Sequence, residues 1–227
     1  VAKKRKIIMS IAQNLNKIKA SIPESVTLVA VSKTKPISDL MEAYQAGQRI
    51  FGENKIQEMT QKWEVMPKDI QWHMIGHVQT NKVKFMAEYV SLIHGVDSLK
   101  LLEEINKQAK KYDRIIACLL QIYIAKEETK FGLDEKELNE LLASTEFKSF
   151  QNIKIVGLMG MATFTENQNQ IKKEFTHLKS IFDNSKSSSI VNCQLSILSM
   201  GMSGDYKLAI ESGSTMVRIG SSIFGGR

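Results

Sequence analysis

Short runs of β-branched and apolar residues alternate with helix-period stretches from one end of the chain to the other. That alternation restricts the fold more than any other feature of the sequence. Strand-like runs fall at 27–31, 49–51, 70–75, 91–94, 114–124, 153–159, 194–198 and 215–219. The stretches between them read as helices over 36–46, 55–66, 80–88, 98–112, 135–144, 167–182 and 205–212, after an opening helix over 5–20. The opening helix carries Ile7, Ile8, Ile11, Leu15 and Ile18 on one stripe. Punctuation agrees with the pattern. Pro36 suits a first helical turn, Gly47 a helix end, and Ser98 an N-cap. Strands separated by helices pair in parallel, and eight such units favour a closed (β/α)8 barrel over an open sheet.

Length supports this reading and limits it. A barrel of this kind runs to about 250 residues and shrinks to roughly 200. The 227 residues hold one barrel with an additional N-terminal helix, as a single domain over 1–227, and leave no room for a second domain. No run approaches the roughly 18 apolar residues of a transmembrane helix, and the basic start, Lys3-Lys4-Arg5-Lys6, lacks the apolar run of a secretory signal. Cys118 and Cys193 lie far apart inside apolar runs, as buried thiols of a reducing cytoplasm would. The formal charge is +7, but four positive residues sit within the first six positions and the others are interleaved with acids. No nucleic-acid motif accompanies the charge, so neither nucleic acid nor membrane is an expected partner.

Barrel function resides at the C-terminal ends of the strands. Polar and glycine-rich segments fall there repeatedly: Ser32-Lys33-Thr34-Lys35-Pro36, Gly52-Glu53-Asn54, Gly76-His77, Gly160-Met161, Ser199-Met200-Gly201-Met202-Ser203-Gly204-Asp205 and Arg218-Ile219-Gly220-Ser221-Ser222. The last two occupy the position after strands seven and eight, where barrels frequently hold phosphate on backbone N–H groups and hydroxyls. A lysine leaving the apolar first strand stands at the same mouth, where partial desolvation makes its amine a Schiff-base former. Lys33 and Lys35 share that strand parity, so alternation alone leaves both open. A lysine and a phosphate cradle at one mouth fit pyridoxal 5′-phosphate, an aldehyde that carries a phosphate.

The segments at 29–36, 51–54, 72–82, 130–132, 157–159, 198–205 and 213–225 together resemble the pyridoxal-phosphate-binding homeostasis protein family, whose fold is that of the alanine racemase barrel. The resemblance implies that Lys33 is the cofactor lysine and that Arg218 faces the pyridine nitrogen. It also implies that Gly220 and Ser221 give the phosphate-binding backbone, that Ser199 or Ser203 adds a hydroxyl, and that Asn54 lies near the cofactor. His73 and His77 have a metal-like spacing but are expected to be structural. Tyr123 departs from the asparagine usual in the family, and Gly160-Met161 from a threonine or alanine pairing. The implied function is to hold pyridoxal 5′-phosphate as a Schiff base in intracellular vitamin B6 and amino-acid homeostasis, as a cytoplasmic monomer that supplies apo-enzymes. Efficient catalysis is not expected, because the chain as given lacks the domain from which alanine racemase draws its second acid–base group. The alternative is a weak pyridoxal-phosphate-dependent amino-acid racemase or related enzyme.

Overall fold

The structure is a computed structural model and describes residues 9–126, 131–186 and 193–226. Eight parallel strands close into one barrel in the order β1 to β8. They are β1 (Thr27–Val31), β2 (Ile50–Glu53), β3 (Gln71–Met74), β4 (Leu92–Val96), β5 (Ile116–Gln121), β6 (Ile153–Met159), β7 (Cys193–Ser199) and β8 (Met216–Ile219). Closure comes from β1 pairing with β8 in a register that runs from Thr27 opposite Met216 to Ala30 opposite Ile219. The helices are α1 (Ile11–Ser21), α2 (Ile37–Gln45), α3 (Ile56–Val65), α4 (Leu99–Lys111), α5 (Glu135–Ala143), α6 (Thr145–Ser149), α7 (Gln168–Ser185), α8 (Tyr206–Glu211) and α9 (Ser221–Phe224). The (β/α)8 barrel with an extra N-terminal helix, expected from the alternation, is therefore the fold.

Several boundaries differ from the sequence reading, each for a local reason. The opening helix starts at Ile11 because Ser10 caps it, in a reciprocal box with Gln13; positions 5–8 lie outside the described residues. Pro36 sits one residue earlier than expected, at the N-cap of α2. The helix expected over 80–88 is a 310 helix, Thr80–Phe85. Its anchors, Val83 and Met86, are both fully buried and three residues apart, the spacing at which 310 side chains eclipse. The run at 114–124 leaves the barrel after Gln121, where Tyr123 N–H donates to the Leu133 carbonyl at 2.9 Å instead of to a strand. Short α6 and α9 carry too few residues for a periodic signal.

Strand alternation builds two cores. Outward side chains such as Trp72, Phe51, Ile93 and Leu120 meet the helices in the larger one. Inward side chains Val29, Leu92, Leu119, Met159 and Met216 fill the barrel axis in the smaller one, so the barrel is packed rather than hollow. Cys118 and Cys193 are buried free thiols, and burial pushes both thiols up from their ordinary value.

The loop after β1 is braced from behind by a buried charge cluster. Lys62 on α3 donates to Glu53 at 2.7 Å, to Glu58 at 2.7 Å and to the Ser32 carbonyl at 2.9 Å. Ser32 also donates its hydroxyl to Glu53 at 2.6 Å. Glu58 accepts the Thr34 N–H at 2.6 Å, and Thr34 has φ +64, a costly conformation for a β-branched residue. Lys33 is therefore flanked on both sides by residues tied to one cluster. Glu53 is fully buried and its Oε2 has no partner among the described residues, so burial raises its carboxyl despite the opposing charge of Lys62.

Removing Lys62 strands that buried carboxylate. Lys62→Met should destabilise the fold by about 3–5 kcal/mol, and adding Glu53→Gln should recover much of the loss. Urea denaturation of the two variants checks this. A single-variant loss below about 1 kcal/mol, the scale of a surface ion pair, would contradict the brace.

Candidate functional site

The C-terminal mouth of the barrel holds a cavity of about 540 Å³. Lys33, Asn54, Ser203, Arg218, Gly220 and Ser221 all line it, so six of the seven residues expected from the sequence come together. They arrive from the loops after β1, β2, β7 and β8 and from β8 itself. Lys33 and Lys35, which alternation could not separate, both line the cavity. Lys35 donates its ammonium to the carbonyls of Phe224 at 3.0 Å and Gly226 at 3.1 Å, fastening the end of α9. At the other end of α9, Gly220 occupies the N-cap position, and its N–H donates to the Ser203 hydroxyl at 3.2 Å. The loops after β7 and β8 are thus joined where the N–H groups of Ser221 and Ser222 open a helix, an arrangement suited to an anion.

Arg218 is 3% exposed and reaches the cavity from the inner face of β8. Its guanidinium donates to Ser199 Oγ at 2.6 Å and to the Gly160 carbonyl at 3.1 Å. Burial lowers its pKa to about 10, which leaves it cationic at neutral pH. Its direct hydrogen-bond partners are thus a hydroxyl and a carbonyl, both neutral. The cation favours an acceptor or an anion in the space it faces.

Ser199 is the seventh expected residue and does not line the cavity. It is fully buried beneath Arg218, and its Oγ also lies 3.2 Å from His94 Nδ1. His94 Nε2 in turn lies 3.1 Å from His73 Nδ1. Arginine cannot accept, so the first contact runs from Arg218 to Ser199. Ser199 accepts from Arg218, and its hydroxyl shares a hydrogen bond with His94, which shares one with His73. Both rings stay neutral, and burial is the main cause: it lowers His73 to about 3 and His94 well below its ordinary value. The metal-like spacing of His73 and His77 is not realised, since His73 lies in the barrel interior and His77 on the loop above. Among the described residues there is no group of three His, Cys, Asp or Glu poised for a metal.

Sequence reasoning missed His94 and Gln121. Gln121 lines the cavity and donates to the Phe131 carbonyl at 2.7 Å. Both were recoverable from alternation, because His94 shares its parity with inward Leu92 and Gln121 with inward Leu119. Two glycines let the mouth close around these groups. A Cβ on Gly76 would lie 2.5 Å from the Asn54 carbonyl oxygen, and one on Gly95 would lie 2.6 Å from that of Gly76. Tyr123, the departure noted in the sequence, is not part of the cavity wall. Gly160, the other departure, supplies the carbonyl that Arg218 uses, and a Cβ there would lie 2.6 Å from Leu178. Lys130, within one of the matched segments, lies outside the described residues.

The buried histidines bear on acid stability. Both bind protons in the unfolded chain near pH 6.5 and resist them when folded, so the unfolded state holds more protons below that pH. Their contribution is complete above roughly pH 6.5 and is lost as pH falls, by about 1.4 kcal/mol per pH unit for each histidine. His73→Phe should therefore reduce the slope of unfolding free energy against pH by about 1.4 kcal/mol per unit between roughly pH 5.5 and 4. Equal slopes in urea denaturation would show that His73 is not held neutral.

Comparison with known proteins agrees with this geometry. The family described as alanine racemase, N-terminal domain, matches residues 8–227. The pyridoxal phosphate homeostasis protein of Pasteurella multocida is 38% identical over 232 residues, covering 96% of this chain and 98% of its own length. That of Aquifex aeolicus is 39% identical over 201 residues, covering 88% and 86%. Among solved structures, PipY of Synechococcus elongatus with PLP bound is 34% identical with a TM-score of 0.85, covering 95% of this chain and 100% of that one. Alanine racemase of Bartonella henselae shares the fold at 18% identity and a TM-score of 0.68, with 60% of its length covered. By sequence and by structure, the chain belongs to the pyridoxal phosphate homeostasis protein family, within the wider family of alanine racemase N-terminal domains.

Proposed function

We propose that this protein binds pyridoxal 5′-phosphate as a Schiff base on Lys33 and serves in vitamin B6 homeostasis as a holder of the cofactor. The supporting observation is one cavity that gathers an amine at Lys33, a buried cation at Arg218 and an anion cradle built from Ser203, Gly220 and Ser221. The fit is chemical as well as spatial. The cradle suits a phosphate, the lysine suits an aldehyde, and Arg218 suits the lone pair of a pyridine nitrogen. Asn54 completes the wall beside Lys33. Ser199 acts on this reading through Arg218, which it positions, and not on the phosphate. The PLP-bound structure of PipY lends independent weight.

When bound, the cofactor supplies an electrophilic carbon and a conjugated ring. Arg218 tempers that ring. A guanidinium that stays charged at neutral pH opposes a proton on the nitrogen it faces, and an unprotonated ring withdraws electrons poorly. That favours retention of the cofactor over turnover of amino acids. We extend the reading to a monomeric, cytoplasmic carrier from which apo-enzymes draw the cofactor.

Mixing the protein with pyridoxal 5′-phosphate should give a visible absorbance band. Borohydride should then fix the cofactor to the peptide that contains Lys33, and Lys33→Ala should abolish both signals. Undiminished covalent attachment in Lys33→Ala would overturn the assignment.

A further inference from the structure

His77 lines the cavity and has no part in the proposed binding role. It follows the end of β3 on a loop, yet it is held like an interior side chain. Its ring stacks on Phe131 with centroids 4.1 Å apart and planes 17° from parallel. Its Nδ1 lies 3.3 Å from Asp97 Oδ2. Asp97 directly follows β4, and its side chain is 16% exposed against 42% for His77. The close approach of Gly95 to Gly76 brings together His77, next after Gly76, and Asp97, two residues after Gly95. Fixing a solvent-reaching side chain on both its face and its edge costs conformational entropy that a bystander histidine has no reason to meet. The carboxylate favours the proton on Nδ1, which leaves Nε2 as the basic nitrogen. His77 lines the same cavity as Lys33.

We propose that His77, held by Asp97, is a proton-transfer group that speeds both the making and the breaking of the bond between Lys33 and its aldehyde ligand. The inference rests on the reading of Lys33 given above. An amine and an aldehyde condense only if two protons leave the nitrogen and reach the oxygen. Lys33 first forms its nitrogen–carbon bond while the carbonyl π pair moves to oxygen; His77 Nε2 takes a proton from the nitrogen and returns it to that oxygen. The nitrogen pair then closes the double bond as the carbon–oxygen bond breaks; His77 takes the remaining proton from the now cationic nitrogen and gives it to the departing oxygen, which leaves as water. Amine plus aldehyde gives imine plus water, His77 ends as it began, and nothing is oxidised or reduced. Release is the same sequence in reverse, with water as the entering group. An imidazole suits both directions because the same ring nitrogen can take a proton and give it back. The chain would thus govern how fast its cofactor comes and goes separately from how tightly it is held.

That separation is the test. A group that only catalyses must change both rates by one factor and leave their ratio alone. Uptake of pyridoxal 5′-phosphate is followed by stopped-flow absorbance, release by exchange against isotopically labelled pyridoxal 5′-phosphate, and affinity by titration. His77→Gln should slow uptake and release alike, by roughly 100-fold, with affinity unchanged within about twofold. Asp97→Asn should slow both in the same ratio by a smaller factor, as expected of a positioning residue. Added imidazole should restore the rates of His77→Ala. Wild-type rates in His77→Gln, or a change in affinity matching a change in one rate alone, would overturn the inference. Borohydride trapping of the wild-type protein keeps the two claims apart. Attachment away from Lys33 refutes the binding reading; attachment at Lys33 with unaltered rates in His77→Gln refutes the role of His77 alone.

Discussion

The hydrogen bond from the Arg218 guanidinium to Ser199, 2.6 Å long and buried inside the barrel, is the contact on which the rest of the site depends. A packed barrel axis is a poor place for a cation. Arg218 is tolerated there because Ser199 and the Gly160 carbonyl take two of its donors. That demand propagates inward. Ser199 hydrogen-bonds His94 and His94 hydrogen-bonds His73, so one arginine is linked to two neutral histidines. It also propagates outward, because the guanidinium faces the cavity and selects what can rest against it. A neutral acceptor there is welcome and a second positive charge is not.

The lysine end is built on another principle. Lys33 is positioned from behind by the carboxylates of Glu53 and Glu58 and the ammonium of Lys62, which tie down Ser32 and Thr34 on either side of it. Thr34 is strained, and the strain is maintained by its bond to Glu58. The two halves of the site are thus fixed separately, one by a neutral chain through the barrel axis and one by a charge cluster between barrel and helix. The end formed by the loops after β7 and β8 is fixed a third way, by the bond from Gly220 to Ser203 and by Lys35 on the carbonyls that close α9. Preorganisation of this kind lets a small ligand bind without first ordering its site.

Much of this was legible in the sequence. The strand over 153–159 is β6 residue for residue, although a bulge at Val156 breaks its alternation. The parallel barrel followed from the repeated exchange of period two for period 3.6. Six of the seven expected site residues meet at one mouth because strand ends and their loops must converge there. Ser199 was misjudged for the reason that made it conspicuous. It opens a glycine-rich segment, but it is still the last inward residue of β7, so its hydroxyl belongs to the axis and not to the loop. His94 escaped notice in an otherwise apolar run, although strand parity placed it inside. The brace of Glu53 and Lys62 joins β2 to a residue nine positions on, and only the folded approach of α3 to the β1 loop reveals it. The pairing of His77 with Asp97 depends on two glycines that bring neighbouring strand ends together, a distance no spacing rule encodes.

The central claim is that Arg218 stays charged and faces the ring nitrogen of the cofactor. Nitrogen-15 NMR of the protein loaded with ring-labelled pyridoxal 5′-phosphate tests it most directly. The account predicts the chemical shift of an unprotonated pyridine nitrogen across neutral pH, moving toward the protonated value in an Arg218→Glu variant. A protonated nitrogen in the wild-type protein would contradict it.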